Sequence, residues 1–303
     1  MSGFLSWLVE PGFFSNSTVQ TALLAGGVVA FTSGVVGLFT VMRRQSFAGE
    51  ALGDIGATGG SGAFLVSINP LWGFVGAALV AAGIIETIGT RRAQSRDLAT
   101  GVVLGAALGF AALFLYFDTT HSSTTGASIT VLFGSLFVID TSIVPVIIGL
   151  SAAVLGVVLV LYRPLLLATL SPDLAQARGV RVRLVGAAYL LAMAVAVSLA
   201  ALTIGAVLST ALLIGPPATA LRLVRRPGLA ALVGGAVGVG ATWLGILLAY
   251  DSAYWPPVGH GWPVSFLVVA LIFVFYLVVS AFTVGQRRRG EARSARPAVS
   301  GCE

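Results

Sequence analysis

Long apolar runs broken by arginine clusters set the rhythm of this chain. Residues 18–42, 71–90, 98–117, 141–162, 229–250 and 264–284 are each apolar over the roughly 20 residues that a helix needs to cross about 30 Å of hydrocarbon. The joining segments alternate in charge. Those at 43–44, 91–96, 163–183, 222–226 and 287–296 carry arginine, whereas 1–17, 118–128 and 251–263 carry none. Clustered arginine marks the cytoplasmic side of a membrane protein.

Three stretches need separate treatment. Residues 184–221 lie between two arginine loops, so the chain must cross an even number of times there; two short spans turning near Gly205 satisfy this. Residues 45–70 are long enough to span but carry Glu50, Asp54 and six glycines. Residues 129–139 are too short to cross and read as either a re-entrant or an interfacial helix. The expected fold is an all-α integral membrane protein with about nine transmembrane helices, N-terminus outside and C-terminus cytoplasmic. Residues 1–17 form an extracytoplasmic segment, 18–284 the transmembrane domain, and 285–303 a basic cytoplasmic tail expected to be disordered.

Small and cyclic residues modulate the spans. Gly101, Gly105 and Gly109 recur every four residues, a pattern that lets helix backbones approach closely. A second series runs through Gly234, Gly235, Gly238, Gly240 and Gly245. Gly215, Pro216 and Pro217 predict a helix break or kink, because proline removes a backbone donor and clashes with the preceding turn. Such interruptions are tolerated where they are packed in protein or line a cavity.

Composition narrows the class. Of 303 residues, 57% are hydrophobic and 9% charged, and the mean hydropathy is +1.00, far from the roughly 25% charge of soluble domains. No alternating pattern of an outer-membrane barrel appears. The first 14 residues show neither a basic region nor a small-residue cleavage site, so no removable signal is expected. All 17 basic residues are arginine. Without lysine there is no Walker A loop, so nucleotide hydrolysis must come from another chain. The single cysteine, Cys302, excludes an intrachain disulfide and a cysteine-based zinc site. The net charge of +6 is spread over inter-span clusters, which argues against nucleic acid.

Glu50 and Asp54, spaced i, i+4, share one helix face. Ten residues separate Arg44 from Asp54, about 15 Å of helix, which puts Asp54 near mid-membrane. Carboxylates there face an interior cavity and mark function by default. Thr58 and Ser61 continue close to that face, and converging oxygens suit a hard divalent cation. The alternative is a water-filled vestibule in which both acids only solvate the helix start. Glu86 is expected to form a salt bridge or snorkel near Arg91, Asp97 and Asp118 to cap helix ends, and His121 and His260 to lie in outside loops. Ser171-Pro172-Asp173 is a helix N-terminus signature, with Ala175 inside and Gly179 at the C-terminal cap position, predicting a short helix in a cytoplasmic loop.

Three blocks together resemble the ABC-3 permeases of bacterial metal importers. MRRQSFAGEALGDIGATG is similar to the family's basic pair followed by Phe-x-Gly-Asp-Ala-Leu-Ser-His-Ala. SPDLAQARGVRVRLV resembles its Asp-x-x-x-Ala-x-x-x-Gly-Val loop, with Ala175, Gly179 and Val180 matching and Ser171 where Asp is usual. TIGAVLSTALLIGPPATALRL resembles its stretch around Pro-Ala-Ala. The resemblance implies a type II ABC importer-like permease of the bacterial plasma membrane, paired as a homodimer. It also implies a cytoplasmic ABC ATPase, an extracytoplasmic metal-binding protein, and a divalent metal ion as transported substrate with no permanently bound cofactor. Ser171, Pro172, Asp173, Ala175 and Gly179 would then form the helix that couples to the ATPase. Where the family has Asp-x-x-x-His, this chain has Glu50-x-x-x-Asp54; two carboxylates suit Mn²⁺ or Fe²⁺, whereas imidazole suits zinc. The rival classes are a proton-coupled secondary transporter using Glu50, Asp54 and Glu86, and a membrane scaffold.

Overall fold

Ten helices fill the computed structural model, which describes residues 13, 16–88, 93–121, 131–134, 136–137, 139–252 and 261–294, with side chains throughout except at 88, 93–97, 99, 119, 121 and 284–294. In chain order they are α1 Ser17–Met42, α2 Ser46–Leu65, α3 Pro70–Ile88, α4 Ala93–His121, α5 Val144–Leu170, α6 Pro172–Ala177, α7 Val182–Ile204, α8 Ala206–Leu223, α9 Pro227–Ser252 and α10 Val264–Ser294. Among the described residues there is no strand. All of these but α2 and α6 are long and apolar enough to cross a membrane. Helix α2 has 20 residues, about 30 Å at 1.5 Å each, but its acids and glycines lower its hydropathy. Among the described residues, eight helices therefore meet the criteria for a membrane span, and α2 has the length of one.

The helices differ in how deeply they sit. In α1 and α7, 78% and 72% of the apolar window is buried, against 11% in α4. Helices α1 and α7 therefore form the centre, and α4, α5 and α10 present apolar side chains outward. One half of the core joins Phe39 of α1, Leu52 of α2, Ile85 of α3 and Tyr189, Met193 and Val197 of α7. The other joins Val29 and Ala30 of α1, Leu199 of α7, Leu212 of α8, Ile246 of α9 and Val268 of α10.

Three helix ends are closed by the same backbone device. At the end of α1, Arg44 N–H donates to Val41 O and Gln45 N–H to Thr40 O (2.9 Å), with Arg44 at φ +55°. This is a Schellman motif. Ser67 (φ +54°) repeats it after α2, and Gly179 (φ +76°) after α6. Arginine and serine in the left-handed region cost roughly 1–2 kcal/mol each, which the satisfied carbonyls and tight hairpins offset. Asn69 then opens α3: its Oδ1 accepts from Leu71 N–H at 3.0 Å, with Pro70 at the first helical position.

The turn at Gly205 is where the parity argument required it. Helix α7 ends at Ile204 and α8 starts at Ala206, with Gly205 at φ +104° between them. A side chain there would strike the backbone of Leu132 and Phe133, and one on Gly134 (φ +80°) would strike that of Thr203 to Gly205. The two glycines thus let residues 131–134 press directly on the α7–α8 junction.

Four expectations change. Within 129–139, only 131–133 is helical among the described residues, because Gly134 turns the chain at once. The segment is tucked into the bundle, not laid on its surface: Val131 and Leu136 are buried, and Ser265 Oγ donates to Phe133 O. Second, α8 runs unbroken through Gly215, Pro216 and Pro217. Proline 217 has no N–H for Leu213 O, and that carbonyl instead faces Gly37 of α1, whose missing side chain allows the approach. The proline pair is a packing surface for α1 and α9, with Gly234 seated on Pro217. Third, Gly101, Gly105 and Gly109 have open space where a side chain would go, so that stripe meets no helix among the described residues. Fourth, the first ten residues of the basic tail continue α10 as far as Ser294; residues 295–303 lie outside the described residues.

Candidate functional site

Helix α2 has two unlike faces. One is nearly side-chain-free. Gly49 packs on Leu213 and Met193, Gly53 on Ser209 and Val197, Gly56 on Phe74 and Ser198, and Gly59 on Gly73 and Ala77. Helices α3, α7 and α8 therefore close on α2 at backbone distance. The other face carries Phe47, Glu50 and Asp54. Glu50 is exposed and Asp54 half-buried, so the acid strip opens out of the single chain.

The strip is open on one half only. Beyond Asp54 the same face is covered: Ala57 joins Phe74, Val131, Ala201 and Ala206 in an apolar cluster, and Ser61 is buried. The tucked segment supplies Val131 to this plug. On the side of the arginine-rich ends no such cover exists: Phe47 and Glu50 are exposed. Asp54, the ninth residue of 20 in α2, sits at the boundary between open and closed halves.

The remaining candidates separate into groups. Thr58 Oγ1 donates to Ala107 O of α4 (2.9 Å) and lies within reach of Asp54 O (3.2 Å); Ser61 Oγ donates to Thr58 O (2.8 Å). The Thr58 hydroxyl thus ties α2 to α4, while that of Ser61 bonds within α2. Among the described residues no three of His, Cys, Asp and Glu gather at one point. Glu86 lies on α3, with Oε1 4.0 Å from Nε of Arg183, at the limit of an ion pair. Asp118 is buried inside the last turn of α4, not capping it. The side chains of Asp97 and His121, and all of His260, lie outside the described residues.

The loop candidates form a compact unit. Ser171 ends α5 and begins α6, Pro172 takes the first helical position, and Asp173 occupies the first turn, where a negative charge suits the helix dipole. Ala175 is fully buried against the bundle, while Leu170 (70% exposed) and Leu174 (59%) project from it.

Sequence reading missed a buried polar cluster at the base of α2. The Tyr189 hydroxyl of α7 donates to Val36 O (2.9 Å) and lies 2.7 Å from Thr40 Oγ1, which has Val36 O and Met193 Sδ as further neighbours, each at 3.3 Å. The Arg43 guanidinium stands 5.5 Å over the Tyr189 ring. Thr40 O also accepts the Gln45 N–H that launches α2, so one residue joins α1, α2 and α7. The available signal was a lone tyrosine in an apolar run, whose hydroxyl needs a partner when buried.

The model of the ABC 3 transport family matches residues 15–282. The chain belongs to the ABC-3 transport family. Over 280 residues it is 28% identical to the manganese import system permease protein ScaB of Streptococcus pneumoniae, covering 91% of this chain and 94% of that one. The high-affinity zinc uptake system membrane protein ZnuB of Haemophilus influenzae is 28% identical over 244 residues, covering 78% and 90%. Among solved structures, PsaBC from Streptococcus pneumoniae in complex with Fab superposes with a TM-score of 0.73 at 23% identity, over 88% of this chain and 92% of that one. That likeness establishes the fold of this ABC-3 chain as a multi-pass helical membrane protein.

Proposed function

We propose that this ABC-3 protein is the permease subunit of an ATP-binding cassette importer that carries a divalent metal ion across the bacterial plasma membrane. The observation that carries the reading is the open Glu50–Asp54 strip halfway along α2 in a chain of this family. The manganese and zinc import permeases it resembles support the substrate class. Two carboxylates without a histidine favour Mn²⁺ or Fe²⁺ over Zn²⁺.

The openness of the strip supports a homodimer. A carboxylate facing lipid costs about 2.5–3.5 kcal/mol by insertion scales, so the strip requires a cover from outside the chain. A second copy supplies one and brings two further carboxylates, four in all, to a shared passage. The plug above Asp54 and the uncovered half below it correspond to a state open toward the arginine-rich, cytoplasmic side. Nine crossings with an outside N-terminus follow from the same orientation.

Ion movement here is alternating access rather than bond chemistry. A separate cytoplasmic ATPase docks on α6 through Leu170 and Leu174, and its closure is transmitted through α7, which follows α6 after 178–181. An extracytoplasmic metal-binding protein delivers the ion to the plugged side. Leu174→Asp tests this: copurification with the ATPase, or metal-stimulated ATP hydrolysis in proteoliposomes, should fall at least tenfold. Unchanged docking and stimulation would remove α6 from the coupling role. Metal uptake without any ATPase, abolished by a proton ionophore, would favour the secondary-transport reading instead.

A further inference from the structure

At the arginine-bearing end of α8, away from the acid strip, Arg222 reaches across to α10. Its guanidinium donates through Nη1 to Ser280 Oγ (2.8 Å) and through Nη2 to Tyr276 Oη (2.7 Å), and it stands 4.8 Å over the Tyr276 ring. These partners are neutral, so they orient the cation without cancelling its charge. A guanidinium has five N–H donors, and two are occupied here. Arg225 and Arg226 follow within four residues, and all three side chains are exposed. Among the described residues none of the three has a carboxylate within ion-pair distance. The C-terminal end of α8 contributes about half a negative charge, which leaves the patch strongly positive.

Apolar side chains border the patch on α10. Leu277 lies between the two cradle positions and Phe273 about one turn deeper on the same side of the helix, and both are exposed. A cation held at a fixed position, free donors around it and an apolar strip running inward from it match an amphiphile with an anionic head. We propose that the α8–α10 seam is a binding site for an anionic phospholipid of the cytoplasmic leaflet, its phosphate held by Arg222 with Arg225 and Arg226, its acyl chain along Leu277 and Phe273. This rests on the inward placement of the arginine-rich ends. The built part of the site is the Tyr276–Ser280 cradle, which distinguishes it from the general attraction of basic loops to acidic membranes.

The test uses the full chain with its ATPase in nanodiscs of phosphatidylcholine containing a minor fraction of phosphatidylglycerol, reading the phosphatidylglycerol retained by native mass spectrometry. Each arginine contributes roughly fivefold to such binding, so R222Q/R225Q/R226Q should lose about 100-fold in preference for phosphatidylglycerol over phosphatidylcholine. The decisive variant is Y276F/S280A, which keeps every charge but frees the guanidinium. It should lose about fivefold, as should Arg222→Lys, which keeps the charge but lacks the fork. Retention unchanged in the triple variant overturns the proposal. A loss in the triple variant with none in Y276F/S280A also overturns it, leaving only diffuse charge. Displacement of the lipid by inorganic phosphate, or retention of it only when the ATPase is left out of the nanodiscs, assigns the patch to those partners and rejects the lipid. The inward orientation is checked separately by membrane-impermeant thiol labelling of Arg225→Cys in a Cys302→Ser background; labelling from the extracytoplasmic side would refute that premise independently.

Discussion

Helices α2 and α4 lie side by side, both of spanning length and rich in glycine, yet they use glycine in opposite ways. In α2 the glycines meet backbone and side chains of α1, α3, α4, α7 and α8, so a chain segment with two acids is fixed at the edge of the core. In α4, Gly101, Gly105 and Gly109 face open space, and the helix packs on α2 through its other face, with the Thr58–Ala107 bond and Phe114 against Gly62. Spacing alone does not distinguish these cases. What differs is whether a neighbouring helix offers a complementary hollow, and Gly73 of α3 does so for Gly59.

Gly59→Ala should break this comparison most severely. Its new methyl would fall on the Gly73 carbonyl and the Ala77 side chain, where backbone cannot yield, so α2 and α3 must separate. Thermal unfolding of the purified protein should report a loss of about 3 kcal/mol, at the top of the overpacking range. Thr58→Val comes next. It removes the hydrogen bond to Ala107 O and should cost about 1 kcal/mol in the same measurement. Metal uptake should stay within twofold of the parent, since this hydroxyl ties α2 to α4. A large loss of uptake with intact stability would return Thr58 to the passage. Gly105→Ala should do least: stability should stay level or rise by up to about 1 kcal/mol, as alanine favours helix at an open position. A loss like that of Gly59→Ala would show that α4 packs against something outside this chain.

Much of the architecture was legible because the bilayer imposes it. Span lengths follow from hydrocarbon thickness, and the pair of arginine loops around 184–221 demanded an even crossing number, which Gly205 accommodates with one residue at positive φ. The Ser171–Gly179 unit was legible because its caps act locally. Tertiary contacts were not. Pro216 and Pro217 announced a break from local rules, but Gly37, 180 residues earlier, accepts the exposed carbonyl and keeps the helix whole. The polar tail continued as helix because nothing in its backbone terminates α10 at the membrane edge.

The candidate site was legible in half. Glu50 and Asp54 stood out because acids are rare in apolar spans, and the structure puts them on one open strip. Thr58 and Ser61 share the helical phase but bond to carbonyls, Thr58 to that of Ala107 on α4, which the sequence of α2 does not reveal, and Ser61 to that of Thr58 in its own helix. Tyr189 escaped notice because its role lies in three helices at once: Val36 and Thr40 on α1, Met193 beside it on α7, and Gly49 of α2 packed on the same methionine.

The central claim is that the Glu50–Asp54 strip passes the ion. The most direct measurement is ATP-driven ⁵⁴Mn uptake by the permease–ATPase complex in proteoliposomes, with Asp54→Asn compared against the parent and ATP hydrolysis recorded in parallel. The account predicts uptake reduced at least a hundredfold, with the complex assembled and basal hydrolysis retained, because one carboxylate fewer per copy leaves the passage without half its charge. Uptake at the parental rate in that variant would contradict it.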